Sequence, residues 1–249
     1  MPWKMVHVSH GKGRLSFSLD DGETRSWWRQ LRLDGNPIYL IGNVCDTCQA
    51  IFGQVSPATM PLAPQILSQS LRDGLQSLDP RVVDSVAAIL PDGGYMAGLF
   101  VIHPAFFPDT RSRTPPDGTA VRQQIQLTQD MIIPEIFLPL ITADQYNLDA
   151  VEQYKQMLMA HQLPTALALS VVDARYPSGK CYQWQLVHFL LDGHHKIRAA
   201  YEMGRPITLL SFLALDQSHA AEKEISAVVE HRYKQETKLT QRWENNALP

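Results

Sequence analysis

Residues 190–196 read Leu-Leu-Asp-Gly-His-His-Lys, which places a turn former, a glycine, two imidazoles and an ammonium in a row. The run before them is strand-like and the run after them helix-like. The first N–H groups of a helix have no partners within it and carry partial positive charge. Gly193 lets the backbone come close to a ligand, and His195 and Lys196 add donors at the same end. The chemistry this suits is anion binding, most naturally of a phosphate. A plainer reading stands beside it: Asp-Gly is a common turn, Asp192 can cap the helix, and paired histidines can sit in solvent.

A second group is Cys45-Asp46-Thr47-Cys48. Two thiolates at this spacing can face one metal, Zn2+ being the natural choice. They can also exchange a disulfide, or simply be buried thiols. The chain has three cysteines, so a four-thiolate site is excluded by count. A mixed site has Cys181, His7, His10 or His103 to draw on. Three cysteines also exclude a disulfide scaffold and fit a reducing, cytoplasmic compartment.

Elements must position these groups. Leu15, Phe17 and Leu19 alternate as in a strand, and Ile38–Ile41 reads as a buried one. Thr47–Phe52 reads as a short helix. Leu67, Leu71, Leu75 and Leu78 form one stripe of a helix over 61–80. Met96–Ile102 is a strand, and the Pro-, Asp- and Arg-rich stretch 104–124 a long surface loop. Beyond it the spacing predicts a strand at 131–133 ended by Pro134, a helix from Leu148 to Leu158 and strands at 165–172 and 183–191. Next come a helix His194–Met203 closed by Gly204, a strand 207–215 and a charged helix 219–243. His188 shares a strand face with Leu186 and Leu190 and reads as an interior histidine. Trp27-Trp28 beside Arg25 and Arg29 reads as a strand pair with one ring buried, ahead of a base-stacking role. The order of elements predicts an α+β fold.

Residues 132–215 resemble the ParB-like/sulfiredoxin superfamily. The likeness rests on Leu191-Asp192-Gly193-His194-His195-Lys196-Ile197-Arg198-Ala199-Ala200-Tyr201-Glu202-Met203-Gly204 and covers about a third of the chain. Partition proteins of that group carry Gly-Glu-Arg-Arg and a basic helix-turn-helix, which has no counterpart here. Sulfiredoxins carry a reactive cysteine where this chain has His194. The nearest box is the Asp-Gly-His-His-Arg of free-serine-kinase-like members, with Lys196 in place of arginine. The resemblance implies a C-terminal mixed sheet with helices at 128–216. A β-containing half, 1–125, holds the cysteine pair ahead of it, and a charged helix spans 217–249. It implies ATP or CTP with Mg2+, held by Asp192, Gly193, His194, His195 and Lys196. Glu135 would be the base and His194 a second catalytic group, in a phosphotransferase or hydrolase. A non-catalytic regulatory or interaction module, and a metal- or thiol-centred redox protein, are the alternatives.

Composition narrows the partners. Lys and Arg number 22 and Asp and Glu 25, a formal net charge of −3, which disfavours nucleic acid and anionic membrane as partners. No apolar run approaches the ~18 residues of a membrane span, and no secretory leader is visible. A nucleotide or small phosphorylated ligand is the expected partner. The mixed charges of the last helix suit a solvated face or a homodimer contact.

Overall fold

A computed structural model describes residues 3–21, 27–43, 51–56, 65–104, 121–126, 132–176 and 183–246. The fold is α+β, as the order of elements implies. The strands are β1 (Trp3–Val8), β2 (Leu15–Asp21), β3 (Trp27–Leu33), β4 (Asn36–Asn43), β5 (Ile51–Gln54), β6 (Gly93–Ile102), β7 (Val121–Gln126), β8 (Ile132–Pro139), β9 (Thr165–Tyr176), β10 (Gln183–Asp192) and β11 (Ile207–Ala214). The helices are α1 (Gln65–Asp73), α2 (Pro80–Ala87), α3 (Leu148–Met159), α4 (His194–Met203) and α5 (Glu222–Asn246).

One sheet has seven strands in the order β1-β6-β11-β9-β10-β8-β7. Its pairs β11–β9 and β10–β8 are parallel and the rest antiparallel. The other sheet is the antiparallel meander β2-β3-β4-β5. The larger sheet takes strands from both sides of residue 125, so the division expected there does not separate two cores.

Strand alternation sorts the larger sheet's side chains between two layers. Leu138, Leu167, Phe189 and Phe212 face the meander and α1–α2. Phe137, Ala168, Leu190 and Leu209 face α3 and α4, and Ile133, Val172, Leu186 and Leu213 face α5. Phe17 and Tyr39 of the meander meet Phe189 at ring distances of 5.5 and 5.9 Å. Every residue of β11 is buried, which explains its unbroken apolar run.

Several boundaries differ from the sequence reading. Pro134 does not end β8: it lies one residue before the pairing with β10 begins at Glu135, so its missing N–H removes no bond from that ladder. Helix α1 stops at Asp73, where Gly74 turns left-handed at φ 91°, so Leu75 and Leu78 belong to the linker to α2. Residues 51–54 form β5 rather than a helix end, and 121–126 form β7, which overlaps the end of the expected loop. No helix among the described residues is long and apolar enough to cross a membrane.

Beyond β1, the edge of β6 is met by α5. Strand β1 pairs with β6 only as far as Gly98. Past it, Val101 donates its N–H to Glu236 Oε1 (2.7 Å), and its carbonyl accepts from Arg232 Nη2 (2.9 Å).

Candidate functional site

Strand β10 ends at Asp192, and Gly193 turns the chain with φ 97° and ψ 17° into the ten-residue helix α4. No side chain caps the start of this helix, so Asp192 is not its cap. A Cβ at Gly193 would lie 2.6 Å from the Ala166 Cβ of β9. Glycine is therefore required by the neighbouring strand as well as by the left-handed backbone. Gly193→Ala is expected to cost about 2–4 kcal/mol, from the left-handed conformation and the overlap together. An unchanged urea midpoint would contradict this packing.

The three side chains after Gly193 turn inward. His194 Nε2 accepts from the Leu140 N–H at 3.2 Å, and His195 Nε2 accepts from the Asn147 N–H at 2.9 Å. His195 also meets the Tyr146 ring edge-on at 5.5 Å. Each ring must therefore be neutral at Nε2. Burial pushes the His194 pKa down to about 4, with Asp192 opposing. Burial lowers His195 as well, again against Asp192.

Lys196 is 3% exposed. Its Nζ donates to the Thr165 carbonyl at 2.9 Å and to Asp192 Oδ2 at 2.5 Å. Burial lowers the Lys196 pKa, and the Asp192 partnership acts the other way. Asp192 itself stays part-exposed, with a side-chain exposure of 36%. The box thus ties together the segment after β8, the start of β9 and the start of α4.

A pH dependence follows for His194. An imidazole whose folded pKa lies below its unfolded value leaves the unfolded chain binding more protons between the two. Stability is then complete above the ordinary histidine value of 6.5 and falls progressively down to about 4. Urea midpoints measured from pH 7 to pH 4.5 are expected to decline, and the decline should be shallower in His194→Gln. Parallel profiles for the two proteins would refute the assignment.

Glu135 lies elsewhere. It is fully buried on the helix-facing side of β8 and opposite Leu186 of β10. Asp192 is six residues further along that strand, about 20 Å away at the rise of a strand. Glu135 Oε1 bonds His188 Nε2 at 2.9 Å and accepts from Arg232 Nε at 3.2 Å. His188 Nδ1 meets Ser170 Oγ at 2.6 Å, and Ser170 Oγ meets Ser211 Oγ at 2.8 Å. The line Glu135–His188–Ser170 has the order of an acid–imidazole–nucleophile relay. Yet each member is at most 1% exposed, and the Ser170 hydroxyl is held between His188 and Ser211. No acyl group can approach that oxygen, so the line is a polar tie across the sheet. Burial, against the Glu135 contact, pushes the His188 pKa down, in keeping with a neutral ring. The sequence places His188 inside but does not reveal its partners. The available signal is polar residues at buried positions of four apolar strands, Glu135, Ser170, His188 and Ser211 among them.

A second buried tie joins the two sheets. Arg29 of β3 donates from Nε and Nη2 to Asp173 of β9 at 2.7 and 2.6 Å, and both side chains have no exposed surface. His219 Nδ1 lies 3.1 Å from the same carboxylate. Trp27 is the buried ring of the tryptophan pair, at 2% exposure, edge-on to His219.

Among the described residues no side chain caps the start of α4. The cationic side chain of the box does not reach outward, because Lys196 is committed to Thr165 and Asp192. Asp192 is the box's carboxylate, and Glu135 is not brought to it. Cys45, Cys48 and Cys181 lie outside the described residues. Among the described residues, no three His, Cys, Asp or Glu side chains are grouped to hold a metal ion. No protein-family model, curated protein or solved structure matches this chain.

Proposed function

We propose that the chain binds the phosphate of a nucleotide, or of a small phosphorylated ligand, at the start of α4, and acts as a regulatory module. The observation that carries this reading is the uncapped N-terminus of α4 behind left-handed Gly193. Main-chain N–H groups at such an end favour an anion. The resemblance of residues 191–204 to the phosphate box of the ParB-like/sulfiredoxin superfamily supports it. Asp192 supplies a carboxylate for a phosphate-bound Mg2+.

Regulation is favoured over phosphoryl transfer by where the side chains go. A general base must stand within hydrogen-bond reach of the proton it takes. Glu135 is held by His188 and Arg232 far along the sheet. Meanwhile His194 and His195 grip Leu140 and Asn147, on either side of the 3-10 turn Ala143–Gln145. An anion that shifts the first turn of α4 therefore moves this segment with it.

Titration of 15N-labelled protein with Mg2+ and ATP, CTP or inorganic phosphate tests the reading. Shifts are expected first at the amides of His194, His195 and Lys196, then at those of Leu140 and Asn147. No shift there with any of the three probes would falsify the proposal. Release of free phosphate or nucleoside diphosphate from a bound nucleotide would instead establish turnover. Zinc analysis of the untagged protein tests Cys45 and Cys48 separately.

A further inference from the structure

A cavity of about 600 Å3 opens where β1 leaves the edge of β6, remote from the α4 box in its lining. Its size is that of a small-molecule pocket. Trp3 and Phe100 form an aromatic wall and pack edge to face at 4.3 Å. Leu75, Leu78 and Leu163 form an apolar one. The linker that carries Leu75 and Leu78 is pinned at its start. Leu75 N–H donates to Thr165 Oγ1 at 2.8 Å. Gly74 sits so close to Leu163 that a Cβ there would lie 2.2 Å from the Leu163 carbonyl oxygen. This wall is therefore in place before a ligand arrives.

One buried polar group of the lining is uncommitted. Thr208 of β11 is 8% exposed. Its main chain is paired to β6 on one side and to β9 on the other, so what it offers the cavity is its side chain. No group among the described residues bonds the Thr208 hydroxyl. A buried hydroxyl is unfavourable unless something that enters the cavity bonds it. The carboxylate of the lining differs, because each Glu236 oxygen already accepts a bond, from Val101 N–H at 2.7 Å and from Arg232 Nη1 at 2.8 Å. Lys4, the other charged residue of the described lining, is exposed.

We propose that this cavity binds an uncharged aromatic molecule bearing one hydroxyl. Its ring lies between the Trp3–Phe100 wall and the leucines, and its hydroxyl bonds that of Thr208. Aromatic pairs gain more than the area they bury, which favours a ring over an aliphatic body at that wall. The partner on offer is a neutral hydroxyl, which cannot compensate the cost of burying a charged head. It can serve a ligand hydroxyl in either sense, since a threonine both donates and accepts. A molecule without an oxygen would fill the same space and leave the Thr208 hydroxyl unmet.

NMR titration of the full chain, methyl-labelled at leucine, with 2-phenylethanol, ethylbenzene, phenylacetate and phenethylamine tests the proposal. The alcohol is expected to bind at millimolar concentration or below and to shift the methyls of Leu75, Leu78 and Leu163. The acid and the amine should bind at least tenfold more weakly. Thr208→Val keeps the branched shape and removes only a hydroxyl that holds no bond among the described residues. It should therefore fold with a urea midpoint no lower than the parent's. It should weaken 2-phenylethanol relative to ethylbenzene by about threefold to tenfold, the worth of one neutral hydrogen bond. No binding of the alcohol at millimolar concentration, shifts that spare all three leucines, or a charged analogue binding as tightly each overturns the proposal. So does a lowered midpoint in Thr208→Val, or an unchanged ratio of alcohol to hydrocarbon affinity. The nucleotide titration above is independent of every one of these outcomes.

Discussion

Asp173→Ala is expected to destabilise the protein by about 3–5 kcal/mol, the cost of stranding one member of a buried ion pair. Removing the carboxylate leaves the Arg29 guanidinium between the two sheets with no exposed surface and without the counter-charge it is paired with. Among the described residues its Nη1 has no partner, so the bonds to Asp173 from Nε and Nη2 are what hold it. Against a typical domain stability of about 5–15 kcal/mol, a loss of that size leaves a marginal fold. Urea denaturation of the variant and the parent measures it, and a difference under about 1 kcal/mol would show that water replaces the carboxylate. The double change Arg29→Met with Asp173→Leu should recover much of the loss, because it removes both charges from the interior.

The same pair has a signature in acid. Burial by itself raises the Asp173 carboxyl, but the Arg29 charge and the bonds from His219 and Arg29 outweigh it, leaving the folded value below the ordinary carboxylate range. A carboxyl depressed in the folded state stabilises above its unfolded pKa, about 3.9. That contribution fades as pH falls below this value and is gone once pH passes the folded one. It operates below the window in which His194 acts, so the two separate in a pH series. The acid limb should be absent from the double variant.

Glu135→Ala is the second large effect, again about 3–5 kcal/mol. It strips the acceptor from His188 and one of two carboxylates from Arg232, both buried. Glu135→Gln retains one acceptor oxygen and should cost about 1–3 kcal/mol. The pair of variants separates two roles for this residue. If Glu135 ties the sheet to α5, stability falls and the phosphate titration of the folded Gln variant is unchanged. If it served a reaction at the α4 box, Glu135→Gln would keep its stability and lose function there.

What the sequence reveals depends on how far away the deciding contacts lie. Helix α4 is legible to the residue, since Asp192-Gly193 and Gly204 are local punctuation at both ends. Strands β9, β10 and β11 are legible because covering on both faces makes them continuous apolar runs. Strand β1 is not legible: its outward residues are mostly exposed, and its partner β6 is about ninety residues away in the register. Strand β7 hides for the same reason in a polar, arginine-bearing segment that, among the described residues, pairs with β8 alone.

The box shows the same division at the level of side chains. Its position follows from local turn chemistry, and the Asp192–Lys196 pair is an ordinary i,i+4 partnership. Where His194 and His195 point is decided by Leu140 and Asn147, some fifty residues earlier, and nothing in the box encodes that. The sequence reading sets Glu135 just after the first strand, but it lies inside β8, and the strand register carries it to α5. Arg29 and Asp173 are 144 residues apart, and the bond between them depends on how two sheets stack.

The contact between α5 and the edge of β6 bears on edge-to-edge pairing of strands. A strand edge is a template for another chain, and folded proteins must blunt it. Here a donor and an acceptor from one helical turn, Arg232 and Glu236, occupy the main-chain groups of Val101 as a neighbouring strand would. The segment they guard, Leu99-Phe100-Val101-Ile102, is apolar and β-prone throughout. Lifting α5 would uncover that segment together with its unmet N–H and C=O, the two ingredients of cross-β growth. Docked α5 therefore covers part of an edge of the kind that templates pairing.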